Sequence, residues 1–157
     1  MNINSLNRIY EYIDSVCVMT LSTSNPETGA PRATPVFFVR RGRSYYFVSF
    51  SRTVHASNIA GRPSVCVSIA RDYSNYAEIQ GAQIFGTCRK ISELSRAAAA
   101  GLVFFAKFPD IRSFMSIDVL KSAKDSDWYE FKADRIVFTD NTIKFGYREE
   151  IDLSDQD

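Results

Sequence analysis

The sequence predicts a mostly β protein, a small antiparallel barrel of six to seven strands with short helices packed at its ends. Segments with the apolar and β-branched character of strands outnumber helical segments, and short turns join consecutive strands. Glycines interrupt the longest strand, as expected where a sheet bends to curl into a barrel. A chain of 157 residues can bury a core of its own, so we expect residues 1–157 to form a single domain.

The first half of the chain reads as a helix, several strands and a second helix. Apolar residues at helical spacing predict a helix over 5–14, and Thr53 is expected to cap another over 54–60. Pro35 lies within a predicted strand and therefore indicates a sheet edge, a bulge or a close approach. The predicted strands cover 16–23, 31–40, 44–49 and 64–70, and residues 25–29 are expected to close a hairpin.

The second half is predicted to start with a long strand over 76–91, bent at Gly81 and Gly86. A helix follows, capped by Ser92 or Ser95 and ending before Phe108, and the segment after Pro109 is partly helical. Further strands are predicted over 128–131 and 135–138, around a turn at 133–134, and over 142–147. Residues 148–157 are expected to be a frayed acidic tail.

Composition argues against several classes of function. The net charge of +1 gives no overall field that would favour nucleic acid or an acidic membrane. Three cysteines without CxxC spacing, together with one histidine, predict no metal site, and we expect the cysteines to be reduced and buried. The N-terminus lacks a signal pattern and the longest apolar run, 97–106, is too short for a bilayer, so a cytoplasmic location is expected.

The segment 49–55 carries the most suggestive chemistry. Its hydroxyls, arginine and histidine lie where a strand is predicted to end and a helix to begin. The N-terminus of a helix presents unpaired N–H groups and the positive end of its dipole, which suits an anionic phosphate. The polar residues concerned are Ser49, Ser51, Arg52, Thr53 and His55.

This segment, in its strand and helix order, resembles the FMN-binding split β-barrel proteins related to pyridoxamine phosphate oxidase. That family often has Thr at the end of the third strand and, four residues later, Ser-x-Lys before a short helix. Ser49, Thr53 and His55 occupy these positions here. The phrases at 128–131, 136–142 and 145–146 resemble the YhbP-type branch of the family, and the likeness covers about residues 13–146.

The resemblance implies a homodimer that binds FMN at the subunit interface and acts on a small substrate. It places the phosphate among the polar residues of 49–55, and Arg32, Thr34, Pro35 and Val36 near the ring or ribityl chain. Tyr76 occupies the position of a flavin-contacting glutamine in the oxidase branch. His55 replaces a lysine, which makes the phosphate contact titratable near neutral pH. The substrate-binding arginine pattern of true pyridoxamine phosphate oxidases is not recognisable, so that reaction is not predicted.

Simpler interpretations of these residues stay open. Arg52 and Arg32 also fit solvated loop and strand-end charges, and His55 fits the surface of a helix. Trp128 fits core packing better than a cover for the flavin. With no nucleophile–base triad or Walker loop, any reactivity would come from the cofactor. Catalytic residues are therefore not assigned, and a non-catalytic flavin-binding or sensing module and a haem- or deazaflavin-binding relative remain as alternatives.

Overall fold

The computed structural model of the protein describes residues 3–114 and 125–154. In chain order its elements are helix α1 (Ile3–Asp14), strands β1 (Val18–Ser24), β2 (Pro31–Phe37), β3 (Val39–Arg41) and β4 (Ser44–Phe50), helix α2 (Val54–Gly61), strand β5 (Ser64–Ala70), a 3-10 helix (Tyr76–Glu78), strand β6 (Gln80–Lys90), helix α3 (Leu94–Lys107), a second 3-10 helix (Pro109–Phe114), and strands β7 (Ser126–Asp140) and β8 (Arg148–Asp152).

All eight strands belong to one antiparallel sheet, which confirms the mostly β class and adds strands to the six or seven expected. The order along the sheet is β2-β1-β5-β6-β7-β4-β3, with β8 paired to β7. Only Phe38 separates β2 from β3, so this bent segment pairs with β1 at one end of the sheet and with β4 at the other. The sheet therefore curls into a half-barrel, and the single strand predicted over 31–40 is broken at Phe38.

The turn predicted at Ala133-Asp134 is wrong, because β7 runs through it without interruption. Along one side of β7, β6 pairs with residues 129–140. Along the other side, β4 pairs with 126–132 and β8 with 135–139. At the branch point, Ala133 N–H donates to the Arg43 carbonyl (2.9 Å) and Leu153 N–H donates to the Asp134 carbonyl (2.8 Å). Strand β8 thus replaces β4 as the partner of β7 at the point where the sequence predicted a turn.

The expected strand over 142–147 and the frayed tail are also corrected. Residues 142–147 form the turn, and 148–152 form β8, whose Ile151 is buried together with the following Leu153. Asp140 organises this turn, since its Oδ1 accepts from the Thr142 N–H (3.1 Å) and hydroxyl (2.6 Å), while Arg8 of α1 pairs with its other oxygen. Apolar burial and this buried carboxylate keep the acidic segment on the sheet as far as Leu153.

Two other boundaries differ from expectation, and so does the burial of the cysteines. The chain forms a 3-10 helix at 76–78, so β6 begins only at Gln80. Helix α3 begins after Glu93 with no side-chain cap, so neither Ser92 nor Ser95 caps it. Most of the segment 110–124, expected to be partly helical, lies outside the described residues. Of the cysteines, only Cys88 is fully buried, and Cys17 is exposed, contrary to the expected burial of all three.

The core lies inside the curl of the sheet and is closed at one end by α1. It is built from the inward-facing residues of each strand, and aromatic pairs such as Phe47 and Tyr129, whose rings stack at 5.2 Å, fill its centre. None of the helices in the described part of the chain combines the length and apolar character needed to cross a membrane. Helix α3 packs against the outer face of β4 and β7, and the candidate site forms beside this helix.

Candidate functional site

A mostly apolar cleft of about 520 Å³ opens between β2, β4 and helix α3. Strands β2 and β4 contribute one wall, and the second half of α3 contributes the other. Trp128 of β7 lies between them, with its ring 5.4 Å from that of Phe104. The lining residues are Thr34, Pro35, Val36, Phe37, Val48, Ser49, Phe50, His55, Phe104, Phe105, Ile111, Ser126 and Trp128.

The polar end of the cleft is a cluster of Ser49, Thr53 and His55. The Ser49 Oγ lies 2.6 Å from His55 Nε2, and the Thr53 Oγ1 lies 3.2 Å from the same nitrogen. The two hydroxyl oxygens are 3.4 Å apart. The Thr53 hydroxyl donates its one hydrogen to the Phe50 carbonyl (2.9 Å), which leaves the Ser49 hydroxyl and the His55 imidazole as the groups of this cluster that can donate to an anionic oxygen.

The start of α2 explains why these residues meet. Thr53 has extended backbone geometry and its Oγ1 accepts from the Ala56 N–H (3.4 Å), so the predicted N-cap is confirmed. One residue into the helix, His55 turns back toward the end of β4, where Ser49 lies. On the buried side of the helix, the Asn58 Nδ2 donates to the Thr23 hydroxyl of β1 (3.0 Å). Helix α2 is therefore held in place on the sheet.

Burial lowers the pKa of His55 below its ordinary value, and the positive charge of Arg32 lowers it further. The side chain is only 6% exposed, although it lines the cleft. The imidazole is accordingly mostly neutral at pH 7, and its tautomer determines whether Nε2 donates to or accepts from the neighbouring hydroxyl groups. An anion placed in the cleft would oppose both effects and favour the imidazolium.

One buried hydroxyl in the wall of the cleft has no hydrogen-bond partner within the described structure. It is the Oγ1 of Thr34, on the edge strand β2. A buried hydroxyl that makes no hydrogen bond costs on the order of 1–3 kcal/mol. Because Thr34 faces a cleft rather than the core, a bound molecule with a suitably placed polar atom would satisfy it.

The predicted site residues divide into two groups. Thr34, Pro35, Val36, Ser49 and His55 line the cleft, and Thr53 and Arg32 act on His55 from beside it. Pro35 lies on the edge strand, one of the settings proposed for it.

The other predicted residues do not line the cleft. The Ser51 hydroxyl donates to the Asp125 carbonyl (2.8 Å), and its side chain faces a different recess. Arg52 is exposed and lies over the Phe50 ring, 5.8 Å from its centre. Tyr76 is 77% exposed, and its carbonyl accepts from the Asn141 amide (2.7 Å). Their contact with a cofactor remains a prediction.

The aromatic wall was not predicted to be functional. Phe104 and Phe105 lie in a helix whose alanine run gave no sign of a site, and Trp128 was interpreted as core packing. The sequence does carry one indication of this wall, because Phe104 and Phe105 follow Gly101 by three and four positions and therefore lie on the same face of the helix. A Cβ at Gly101 would lie 3.4 Å from the Trp128 ring, so the small residue lets the helix approach the tryptophan closely.

The chemistry that the site supports depends on its apolar walls and on the Ser49, Thr53 and His55 cluster. Among the described residues no group of three or more His, Cys, Asp or Glu side chains could hold a metal ion. Ser49 and His55 are in contact, but among the described residues no carboxylate forms a hydrogen bond that orients the imidazole. An apolar cleft with hydrogen-bond donors at one end could hold a ligand that combines an apolar part with a negative group.

The comparisons with known proteins agree with this architecture. Residues 7–140 match the family model described as pyridoxamine 5'-phosphate oxidase. A comparison with curated protein sequences finds no match. Among solved structures, ChuZ from Campylobacter jejuni superposes with a TM-score of 0.77 at 14% identity, over 97% of this chain and 61% of that one.

Two further solved structures are similar over most of their length. A Clostridium acetobutylicum protein related to general stress protein 26, of the pyridoxinephosphate oxidase family, has a TM-score of 0.72 at 12% identity, covering 98% of this chain and 97% of that one. The heme storage protein HutZ from Vibrio cholerae has a TM-score of 0.67 at 17% identity, covering 81% and 88%. At these identities the likeness shows the fold, whereas the family model matches most of the sequence. The chain belongs to the pyridoxamine 5'-phosphate oxidase family.

Proposed function

We propose that the protein binds FMN in the cleft and acts as a flavin-dependent oxidoreductase on a small substrate. The observation that carries the proposal is the pairing of an apolar, aromatic slot with the Ser49, Thr53 and His55 cluster at its end. A flavin mononucleotide has the matching division, a flat ring system at one end and a phosphate at the other. Membership of the family supports the choice of flavin.

The residues present fit such a group. The Ser49 hydroxyl and the His55 imidazole would donate to the phosphate beside Thr53, with the charge of Arg32 nearby. The unpartnered Thr34 hydroxyl would gain a polar partner from the ring or ribityl chain. Pro35, Val36 and Trp128 would exclude water from the ring.

When bound, FMN would supply the redox chemistry, and the protein would supply binding, orientation and a water-poor environment. None of the residues that line the cleft carries a carboxylate, and no side chain is assigned as a catalytic acid or base. The part of the cleft near Phe105 and Ile111 is apolar and would favour a small apolar or aromatic substrate over a charged one.

We also propose that the site is completed by a second copy of the chain. Apolar side chains remain exposed around the cleft, which is unusual for a surface that faces only water. Phe37 and Val54 are each 50% exposed, and Val48 and Phe50 are each 38% exposed. A symmetric dimer through this face would bury these side chains and enclose the ligand, and light scattering of the purified protein tests its mass.

Titration of the purified protein with FMN tests the function directly. The chain has one tryptophan, Trp128, and it lines the cleft, so FMN binding is expected to quench both flavin and tryptophan fluorescence with one stoichiometry. The absence of any quenching up to millimolar FMN would exclude the flavin proposal. If FMN binds but neither NADH nor NADPH reduces it, the non-catalytic binding or sensing module is favoured instead.

Replacing Thr34 with valine is expected to change folding and binding in opposite directions. Valine has the same shape but lacks the unpartnered hydroxyl, so the ligand-free protein should be as stable or more stable, by up to about 1 kcal/mol. FMN affinity should fall about fivefold to tenfold, because the ligand loses one hydrogen bond. Urea unfolding and FMN titration measure the two effects. Thr28→Val in the exposed hairpin turn is the control, and unchanged FMN affinity in Thr34→Val would remove this hydroxyl from the site.

Haem is the second candidate, and a specific observation favours it. His55 is a neutral imidazole at the edge of an apolar cleft, the form in which histidine binds iron. A structural neighbour is described as a heme storage protein. Against haem, His55 Nε2 already contacts two hydroxyls. A Soret band that shifts on addition of hemin to the wild type, but not to His55→Ala, would favour haem over FMN.

A further inference from the structure

We infer that a second recess, separate from the cleft, binds a small phosphorylated anion. This basic recess, of about 440 Å³, lies between the β3–β4 turn, the start of α3 and the middle of β7. Four cationic side chains line it, together with one carboxylate, Glu130, and Tyr10 of α1. The cations are Arg41, Arg43, Arg96 and Lys132.

The recess is much more positively charged than the molecule as a whole. Four cations against one carboxylate leave three positive charges in one concave surface, whereas the whole chain carries a net charge of +1. Clefts lined by one sign of charge concentrate the field and attract ligands of the opposite sign. The remainder of the chain therefore supplies no general attraction for anions that would account for binding elsewhere.

The one carboxylate in the recess is already engaged. Glu130 Oε2 accepts from the Arg96 Nη2 at 2.5 Å, and its Oε1 accepts from the Tyr46 hydroxyl at 3.2 Å. The Arg43 Nη1 donates a hydrogen bond to the Leu153 carbonyl (2.6 Å). By contrast, within the described residues neither Arg41 nor Lys132 forms an ion pair. Two cations are thus available to a ligand without breaking an existing ion pair.

Strand register places these two cations on the same face of the sheet, one on each side of Ser44. Arg41 on β3 is directly opposite Ser44 on β4, and Ser44 is directly opposite Lys132 on β7. Directly opposed residues point to the same face of a sheet, and neighbouring strands lie about 4.8 Å apart. The three side chains therefore form a row about 10 Å long with a hydroxyl between two cations. Gly42, with φ of +56°, makes the tight turn that starts this row.

The chemistry of the row favours phosphate groups on a small molecule. Arginine guanidinium binds phosphate oxygens through paired hydrogen bonds, and lysine adds a mobile point charge. The recess has the size of a small-molecule pocket and is enclosed by a turn, a helix and a strand. A nucleic acid would instead need a basic stripe that continues along the surface. We accordingly infer a ligand with one or two phosphate groups.

Calorimetric titration of the full, FMN-free chain with pyrophosphate tests the inference, and the variants below distinguish binding in the recess from binding in the cleft. Pyrophosphate is expected to bind at low ionic strength and to weaken steeply with added salt. Orthophosphate should bind more weakly, because it spans less of the row. Arg41→Gln and Lys132→Gln should each reduce pyrophosphate affinity about fivefold to tenfold. Lys144→Gln, which removes a charge from an exposed residue of the β7–β8 turn, should not change it.

Glu130→Gln sharpens the test, because it removes the only negative charge in the recess. Pyrophosphate affinity is expected to rise, whereas a purely structural role for Glu130 would leave it unchanged or lower it. Absence of binding at 10 mM pyrophosphate, or equal losses in Lys132→Gln and Lys144→Gln, would overturn the inference. Binding of heparin or RNA without binding of pyrophosphate would overturn it too, in favour of an extended polyanion. Circular dichroism confirms that each variant is folded.

Discussion

Replacing Gly86 with alanine is expected to destabilise the protein by more than about 3 kcal/mol. A Cβ at this position would lie 2.1 Å from the Lys132 carbonyl oxygen and 3.0 Å from the Ala133 Cα. These atoms belong to the backbone of β7, the strand that three others pair with, so they cannot move without breaking the sheet. Gly86 also marks the register shift between β6 and β7.

Gly81→Ala is the matched control, since it makes the same change in the same strand. Its Cβ would lie 3.5 Å from the nearest backbone atom, which is an ordinary contact. We expect this variant to be as stable as the wild type or up to about 1 kcal/mol more stable, because alanine costs less chain entropy than glycine in a strand. Urea unfolding followed by circular dichroism compares the two. Equal unfolding midpoints for Gly86→Ala and Gly81→Ala would contradict the close backbone approach inferred at Gly86.

Replacing His55 with glutamine is expected to weaken FMN binding about tenfold to a hundredfold at pH 6, because a charged hydrogen bond to the phosphate is lost. In the wild type, binding of the phosphate should raise the pKa of His55 and take up a proton. FMN affinity should therefore fall as pH rises through the pKa of the complex, and this dependence should disappear in His55→Gln. Ser57→Gln, at an exposed position of the same helix, is the control.

The same histidine should affect the stability of the ligand-free protein with the opposite sign. Burial and Arg32 hold its folded pKa below the ordinary 6.5, so the unfolded chain binds the proton more readily. Stability is then fully retained above pH 6.5 and decreases as pH falls through the folded pKa. Urea unfolding at several pH values, with and without FMN, separates the two effects. An FMN affinity that does not change with pH would place the phosphate away from His55.

The local features of the segment 49–55 were predictable because they depend on residues that are close together in the sequence. Thr53 caps α2 through a hydrogen bond to a residue three positions on, and short-range patterns of this kind are legible in sequence. The contact between Ser49 and His55 follows from the same strand-to-helix turn. By contrast, Ser51 and Arg52 in the same segment face away from the cleft, because the Ser51 hydroxyl donates to the Asp125 carbonyl and Arg52 lies over the Phe50 ring.

The errors in the second half of the chain share one cause. The pair Ala133-Asp134 has the polarity of a turn, yet it is the point at which β4 gives way to β8 as partner of β7. Residues 148–153 read as a charged tail, but Ile151 and Leu153 are buried against the sheet and Asp140 anchors the preceding turn. In both places long-range pairing outweighed local propensity.

Sequence patterns were enough to predict the fold class, the family and the polar end of the candidate site, because strand alternation, turn residues and helix caps act over a few positions. Which side chains share a surface depends instead on tertiary packing. It placed Phe104, Phe105 and Trp128 opposite β2 and β4, left the Thr34 hydroxyl without a partner in the described structure, and aligned Arg41 with Lys132 across three strands. These arrangements depend on register and helix packing between residues far apart in the chain, which no short-range pattern records.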